Sequence, residues 1–272
     1  MIVFEVDRRR GLAVARRLLE LQFDMPEYVL PRNAVEGSQE LALYYTFVTA
    51  LDYMVDSAKL WSRARELFEE KPEVFEPDRI MRMSDEELEA MLRRLGARRF
   101  RKSAEAWRQI AGILLEKYAG DPRNLTPEPL PVAELTKRLR EFPLIRGCKL
   151  MPLYLRIMHE KKLLKLADPV NIEIPVDIQI LRLSFYTGFL KTRAVEVVVS
   201  EELRRLVRSA WRDVASELGV SPWRLDKPAW SIARAYCSKL RHSTCPLESV
   251  CEKEILRVVY RVSRKSSSPP RE

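Results

Sequence analysis

Histidine occurs only twice (His159 and His242) and cysteine four times (Cys148, Cys237, Cys245 and Cys251) in 272 residues. No HExxH, His-rich or paired CxxC pattern is present, which argues against a zinc centre. Glycine is limited to 8 residues, too few for a fibrous or loop-dominated chain. No stretch reaches the ~18 consecutive apolar residues of a membrane span. The opening Met-Ile-Val-Phe-Glu-Val-Asp-Arg-Arg-Arg puts apolar residues before charges, the reverse of a secretory leader. The expected location is therefore cytoplasmic, with no membrane partner. Asn and Gln are also scarce beside abundant Arg and Glu, a composition similar to that of thermophile proteins.

What the chain does contain is 46% apolar and 32% charged residues. At this length it can bury a sizeable core without disulfides, as one large domain or two fused lobes. The charge is unevenly placed. Residues 180–272 hold 18 Lys and Arg against 10 Asp and Glu, whereas residues 1–179 hold 30 against 29. Nearly all of the +9 net charge thus falls in the last third, as a surface facing a polyanion requires. A solvated surface with no partner would show the same excess, so charge alone does not decide.

Helical periodicity dominates, and no convincing strand follows the opening residues 2–6. Residues 36–55 carry apolar side chains on most faces, which suits a central buried helix. Residues 58–69 are amphipathic and stop before Pro72. Ser84 with Glu87 forms a capping signal ahead of 85–95, with Gly96 as the stop. Further helices are expected over 100–119, 132–141, 149–166, 176–188, 200–218 and 225–238. Four prolines in 122–132 mark a linker or lobe crossing. The Ser/Pro/Arg tail, 263–272, gives no reason for order. The expectation is an all-α protein.

The segment Phe142-Pro143-Leu144-Ile145-Arg146-Gly147-Cys148-Lys149 joins two amphipathic helices. A tight Gly-containing turn between helices presents backbone N–H groups able to hold a phosphate. Twenty-eight residues after Lys149 comes Ile174-Pro175-Val176-Asp177, where Pro and Asp open another helix. An Asp there is the ordinary choice for an N-cap, and a lysine at a helix start is ordinarily exposed. Together, an amine and a carboxylate form a set that can form a Schiff base at a sugar carbon while stabilising positive charge. The amine must be unprotonated to attack, and burial together with Arg146 is expected to lower its pKa.

These residues resemble the helix-hairpin-helix DNA glycosylase superfamily, the group that includes endonuclease III. Gly147-Cys148-Lys149 matches the Gly-x-Lys of that family, and Pro175-Val176-Asp177 matches its Pro-Val-Asp. The segment opening at Leu92 resembles the stretch that leads into the hairpin. Similarity is greatest to the archaeal 8-oxoguanine DNA glycosylase branch. That branch shares Ile174-Pro175-Val176-Asp177 followed by Arg182, Leu183 and Gly188, and later Gly219-Val220-Ser221-Pro222, Leu225-Asp226 and Trp230. Leu144 stands at the first Gly position of the hairpin, and one extra residue precedes Gly147.

The resemblance implies two helical lobes with an active cleft between them, a hairpin and catalytic region over about 131–190, and a basic region over 191–262. It implies Lys149 as nucleophile and Asp177 as the second catalytic group. Trp61 and Trp230 would sandwich the extruded base, with Asp226, Arg156 and Glu27 at its edge. Glu27 stands where the branch has Gln. Arg146, Gly147 and Arg182 would hold the DNA, and the charge excess after residue 180 puts Lys191 and Arg193 on the same side. The implied activity is that of a bifunctional N-glycosylase and AP lyase, a monomer acting on 8-oxoguanine in double-stranded DNA of the nucleoid. Another lesion, or a DNA-binding module without catalysis, remains as the alternative. Cys237, Cys245 and Cys251 resemble an iron–sulfur loop lacking one ligand. A degenerate loop or a disulfide is therefore expected, with no metal and no cofactor.

Overall fold

In helix α2 (Gln39–Leu51) every residue from Leu41 onward is buried, and Ser38 caps the helix by accepting from the Leu41 N–H. So apolar a helix can only stand at the centre of a core, and α3–α8 wrap it: α3 (Ser57–Glu70), α4 (Pro77–Arg82), α5 (Asp85–Leu95), α6 (Phe100–Tyr118), α7 (Val132–Leu139) and α8 (Leu150–Glu160). A computed structural model describes residues 2–260. The tail expected to lack order lies outside the described residues.

A second core is built by α1 (Arg8–Leu19), α9 (Ile178–Tyr186), α10 (Glu201–Glu217) and α11 (Asp226–Ala235). Strand β1 (Glu5–Val6) pairs antiparallel with β2 (Leu190–Lys191), and β3 (Glu196–Val198) pairs in parallel with β4 (Arg257–Val259). These short ladders tie distant segments onto the second core. They are two or three residues long, too short to show alternation in sequence.

The chain passes from the first core to the second between Ile172 and Ile174. The proline-rich stretch 122–132, expected as a lobe crossing, instead lies within the first core, where Leu125 and Val132 are buried. Two helices were not anticipated. Helix α1 is rich in arginine, and its apolar stripe is narrow: Val14, Ala15 and Leu18 bury while Asp7 caps the first turn by accepting from Arg10 N–H. Helix α4 is a short element entered through Pro77. Helix α8 stops at Glu160 rather than at 166. Lys162 adopts a left-handed φ of 56°, and the Leu163 N–H returns to Met158 O at 2.8 Å, the geometry of a left-handed helix stop. The capping box at Ser84 and the Gly96 stop (φ 87°) form as expected.

Candidate active site

The hairpin between α7 and α8 is anchored by Phe142 and Ile145, both fully buried in the first core. Its turn closes through Gly147 N–H to Leu144 O at 3.2 Å and Arg146 N–H to Phe142 O at 3.0 Å. Leu144 takes a φ of 65°, the left-handed conformation that glycine adopts without strain. It is the position at which the resemblance places the first glycine of the hairpin. A Cβ on Gly147 would come within 3.3 Å of the Leu144 carbonyl oxygen. Arg146 is exposed at the tip.

Lys149 begins α8 at the foot of this hairpin, and Asp177 begins α9. The two reach one small cavity whose wall also includes Glu27, Asp52, Ser57, Arg156, Asp226 and Trp230. Six sequence-predicted residues thus converge from four separate segments. The cavity, about 30 Å³, has room for a water molecule and not for a base. It opens beside a recess of about 230 Å³ lined by Tyr53, Met54, Asp56 and Arg234, which shares Lys149, Asp177 and Trp230.

Asp177 is the N-cap of α9, its Oδ1 accepting from the N–H groups of Gln179 and Ile180 at 2.8 and 3.1 Å. Its Oδ2 accepts from Trp230 Nε1 at 3.2 Å. The capping role and a place in the cavity wall therefore coexist. Lys149 Nζ donates to Asp52, at 2.5 Å to the main-chain oxygen and 3.1 Å to Oδ1. Burial alone would push the Lys149 pKa down, but the Asp52 carboxylate, helped by Asp177, holds it above the ordinary lysine value. This overturns the expectation of a lowered pKa. The exposed hairpin tip does not set the charge of the amine; a buried carboxylate does.

Arg156 is fully buried and faces carboxylates on several sides. Its Nη2 donates to Glu27 Oε1 at 2.6 Å, and its Nε lies 3.0 Å from Asp226 Oδ2. Tyr28 Oη lies 3.2 Å from Nη1. Burial pushes the Asp226 carboxyl up to about 7; Arg156 opposes this, while Glu27 and Asp177 add to it. One guanidinium therefore organises a cavity wall of mixed donors and acceptors.

Two predicted positions fall elsewhere. Trp61 does not line the cavity. It is 1% exposed, edge-on to Tyr44 at 5.9 Å, because α3 turns Leu60, Trp61, Ala64 and Leu67 together into the first core. A sandwich with Trp230 is therefore not formed, although the Trp61 indole N–H bonds Asp52 Oδ2 at 3.0 Å behind the cavity. Lys191, expected against DNA, pairs with Asp7 at 3.1 Å and Glu252 at 3.2 Å. Arg182 is half-buried on α9 and Arg193 is exposed. The sequence reading missed Asp52 and Ser57. The available signal was a single carboxylate inside the otherwise apolar run from Phe47 to Val55.

Cys237, Cys245 and Cys251 line a small recess with His242, and all four cysteines of the chain are free thiols, so no disulfide forms. Burial pushes the Cys237 thiol up to about 12. Among the described residues no group of three or more His, Cys, Asp or Glu is arranged to hold a metal ion. Three cysteines leave a cluster one ligand short, so the residues do not fit one. None of the described helices is long and apolar enough to cross a membrane.

The helical architecture, the hairpin and the Lys–Asp pair beneath it define a helix-hairpin-helix DNA glycosylase fold. A trapped endonuclease III–DNA covalent intermediate superposes with a TM-score of 0.58 at 18% identity, over 90% of this chain and 96% of that one. The 8-oxoguanine DNA glycosylase of Thermotoga maritima superposes with a TM-score of 0.51 at 21% identity, over 85% of this chain and 96% of that one. Among curated protein sequences none matches the chain. The AGOG family model, described as N-glycosylase/DNA lyase, matches residues 12–258, and the chain belongs to that family. It is a base-excision repair enzyme whose partner is DNA.

Proposed function

We propose that the chain, acting as a monomer and without a cofactor, removes 8-oxoguanine from double-stranded DNA of the nucleoid and then cleaves the strand. The observation that carries this reading is the convergence of Lys149, Asp177, Trp230, Asp226, Arg156 and Glu27 on one cavity under the hairpin. The lesion nucleotide is extruded into the cleft. The deprotonated Lys149 amine forms a bond to C1′ as the glycosidic C–N bond breaks, and the departing base takes the electron pair and a proton. The Asp177 carboxylate faces the positive charge that develops on the sugar. The C1′–O4′ bond then opens, O4′ taking a proton, and the resulting Schiff base acidifies the C2′ proton. Its loss expels the 3′ phosphate and nicks the strand.

The base edge meets Arg156 as donor and Glu27 and Asp226 as acceptors, while Trp230 supplies a stacking face. An oxidised purine offers both a carbonyl row and N–H groups, which suits that mixture. Arg146, Gly147, Arg182 and Arg193 are the proposed backbone contacts, positioning DNA without reading sequence. The closed cavity requires side chains to part as the base enters.

Borohydride trapping tests the reading. Wild-type protein is expected to become covalently linked to an 8-oxoguanine duplex, and Lys149→Gln to lose both linkage and nicking while binding the duplex within a few-fold. Equal trapping of other lesions would replace 8-oxoguanine as the preferred substrate. Binding without trapping of any lesion would leave a DNA-binding module instead.

A further inference from the structure

We propose that Asp52, the residue that ends α2, is the positioning residue of the nucleophile: its carboxylate and main-chain carbonyl together hold Lys149 against one wall of the cavity, and the pair must part before the amine can reach an extruded sugar. The inference rests on the reading of Lys149 as nucleophile.

The geometry is that of a built clamp. Lys149 Nζ donates twice to the same residue, to the Asp52 main-chain oxygen and to Oδ1. The carboxylate is 4% exposed and is itself fixed by two further donors, Ser57 Oγ at 2.6 Å to Oδ1 and Trp61 Nε1 at 3.0 Å to Oδ2. Four bonds thus converge on one residue, drawn from α2, α3 and α8. Trp61 takes its meaning from this arrangement, since it braces the clamp from the core side. A lysine free to swing would lose that orientation, and orientation is a large part of what an active site contributes.

The clamp also sets when the amine is available. Around Lys149 stand Asp52 from the end of α2, Asp56 from the loop before α3, Asp177 from the start of α9 and Asp226 from α11. Tyr260 follows β4, and Arg156 of α8 and Arg234 of α11 supply the positive charge nearby. Asp52 is the member in direct contact, and its carboxyl is held below the usual carboxylate range: burial opposes this, but Lys149, Ser57 and Trp61 outweigh it. The pair is ionised at rest. Attack therefore requires both a broken contact and a proton lost to solvent from Nζ. Asp52→Asn keeps the shape and the carbonyl while deleting the charge.

The decisive measurement is the pH dependence of Schiff-base formation, read by borohydride trapping at limiting substrate so that the free enzyme is reported, from about pH 6 to about pH 9. Both an 8-oxoguanine duplex and an abasic-site duplex are used. Wild-type rate should climb throughout this range, about tenfold per pH unit. Asp52→Asn should level off about 1–3 pH units earlier, as removal of an adjacent opposite charge predicts. A folded Asp52→Asn with the wild-type profile would overturn the proposal. If that variant does not fold, the wild-type profile decides alone: a plateau reached near neutrality overturns it, and a continuing rise supports it. Failure of wild-type protein to trap either duplex would instead remove Lys149 as nucleophile, and this proposal with it.

Discussion

Trp230 donates its indole N–H to Asp177 Oδ2 across 3.2 Å, joining α11 to the residue that opens α9. Oδ1 of the same carboxylate is engaged by two backbone N–H groups. Asp177 is consequently fixed by three donors, and Trp230 does more than offer a stacking face. Trp230→Phe keeps an aromatic face and deletes the donor. Single-turnover excision should fall by about tenfold or more, since a hydrogen bond to a charged group contributes about 1.5–3 kcal/mol. Duplex affinity should hold within a few-fold, and an unchanged excision rate would show that only the ring matters.

Substitutions at Asp177 separate its two roles. Asn is as good an N-cap as Asp, whereas Ala forfeits about 1 kcal/mol of helix capping. Asp177→Asn should therefore melt near wild type yet excise slower by orders of magnitude, whereas Asp177→Ala should lose both rate and stability. Thermal melts beside single-turnover rates make the comparison. An Asn variant with full activity would reduce Asp177 to its cap.

Asp226 brings a pH dependence. Its carboxyl lies at about 7 in the folded protein, chiefly through burial, against about 3.9 for an unperturbed Asp. The folded state binds the proton more tightly, so the stabilisation is complete below about pH 4 and is lost as pH rises through about 7. Melting temperature should decline across that window in wild type, and Asp226→Asn should flatten the decline. Identical slopes would mean that Asp226 is ionised throughout, held so by Arg156.

Leu144 tests the hairpin. A left-handed φ costs a residue with a Cβ about 1–2 kcal/mol, a penalty glycine escapes. Leu144 is 36% exposed, so little packing is lost on truncation. Leu144→Gly should match or exceed wild-type stability, and Leu144→Val, branched at Cβ, should fall below it. Denaturant melts with the opposite ranking would place the weight on Leu144 packing rather than on its backbone.

The sequence disclosed what depends on local pattern. Apolar residues at helical spacing marked α3, α5 and α6, a run apolar on most faces marked α2, and Ser84 and Gly96 bounded α5 because capping is a short-range event. Lys149 and Asp177 were legible because each sits at a punctuated helix start. Asp52 was not, since its importance arises from a lysine 97 residues away, a pairing that no local rule encodes. Trp61 shows the converse: the resemblance placed it against the extruded base, and the packing of α3 assigns it to the core. Arg156 was placed at the pocket only by resemblance; its enclosure by Glu27 and Asp226 comes from distant segments that no local pattern on α8 announces.

Helix α1 belongs to the second core although residues 39–172 of the first intervene before its partners α9–α11. During synthesis the first core is complete as a sequence while the apolar stripe of α1, Val14, Ala15 and Leu18, still lacks the helices it packs against. Domains generally fold as units in the order they emerge. The cavity needs Lys149 from the early unit and Asp177, Asp226 and Trp230 from the late one, so a nascent chain holds Lys149 long before it holds the rest of the wall that encloses it.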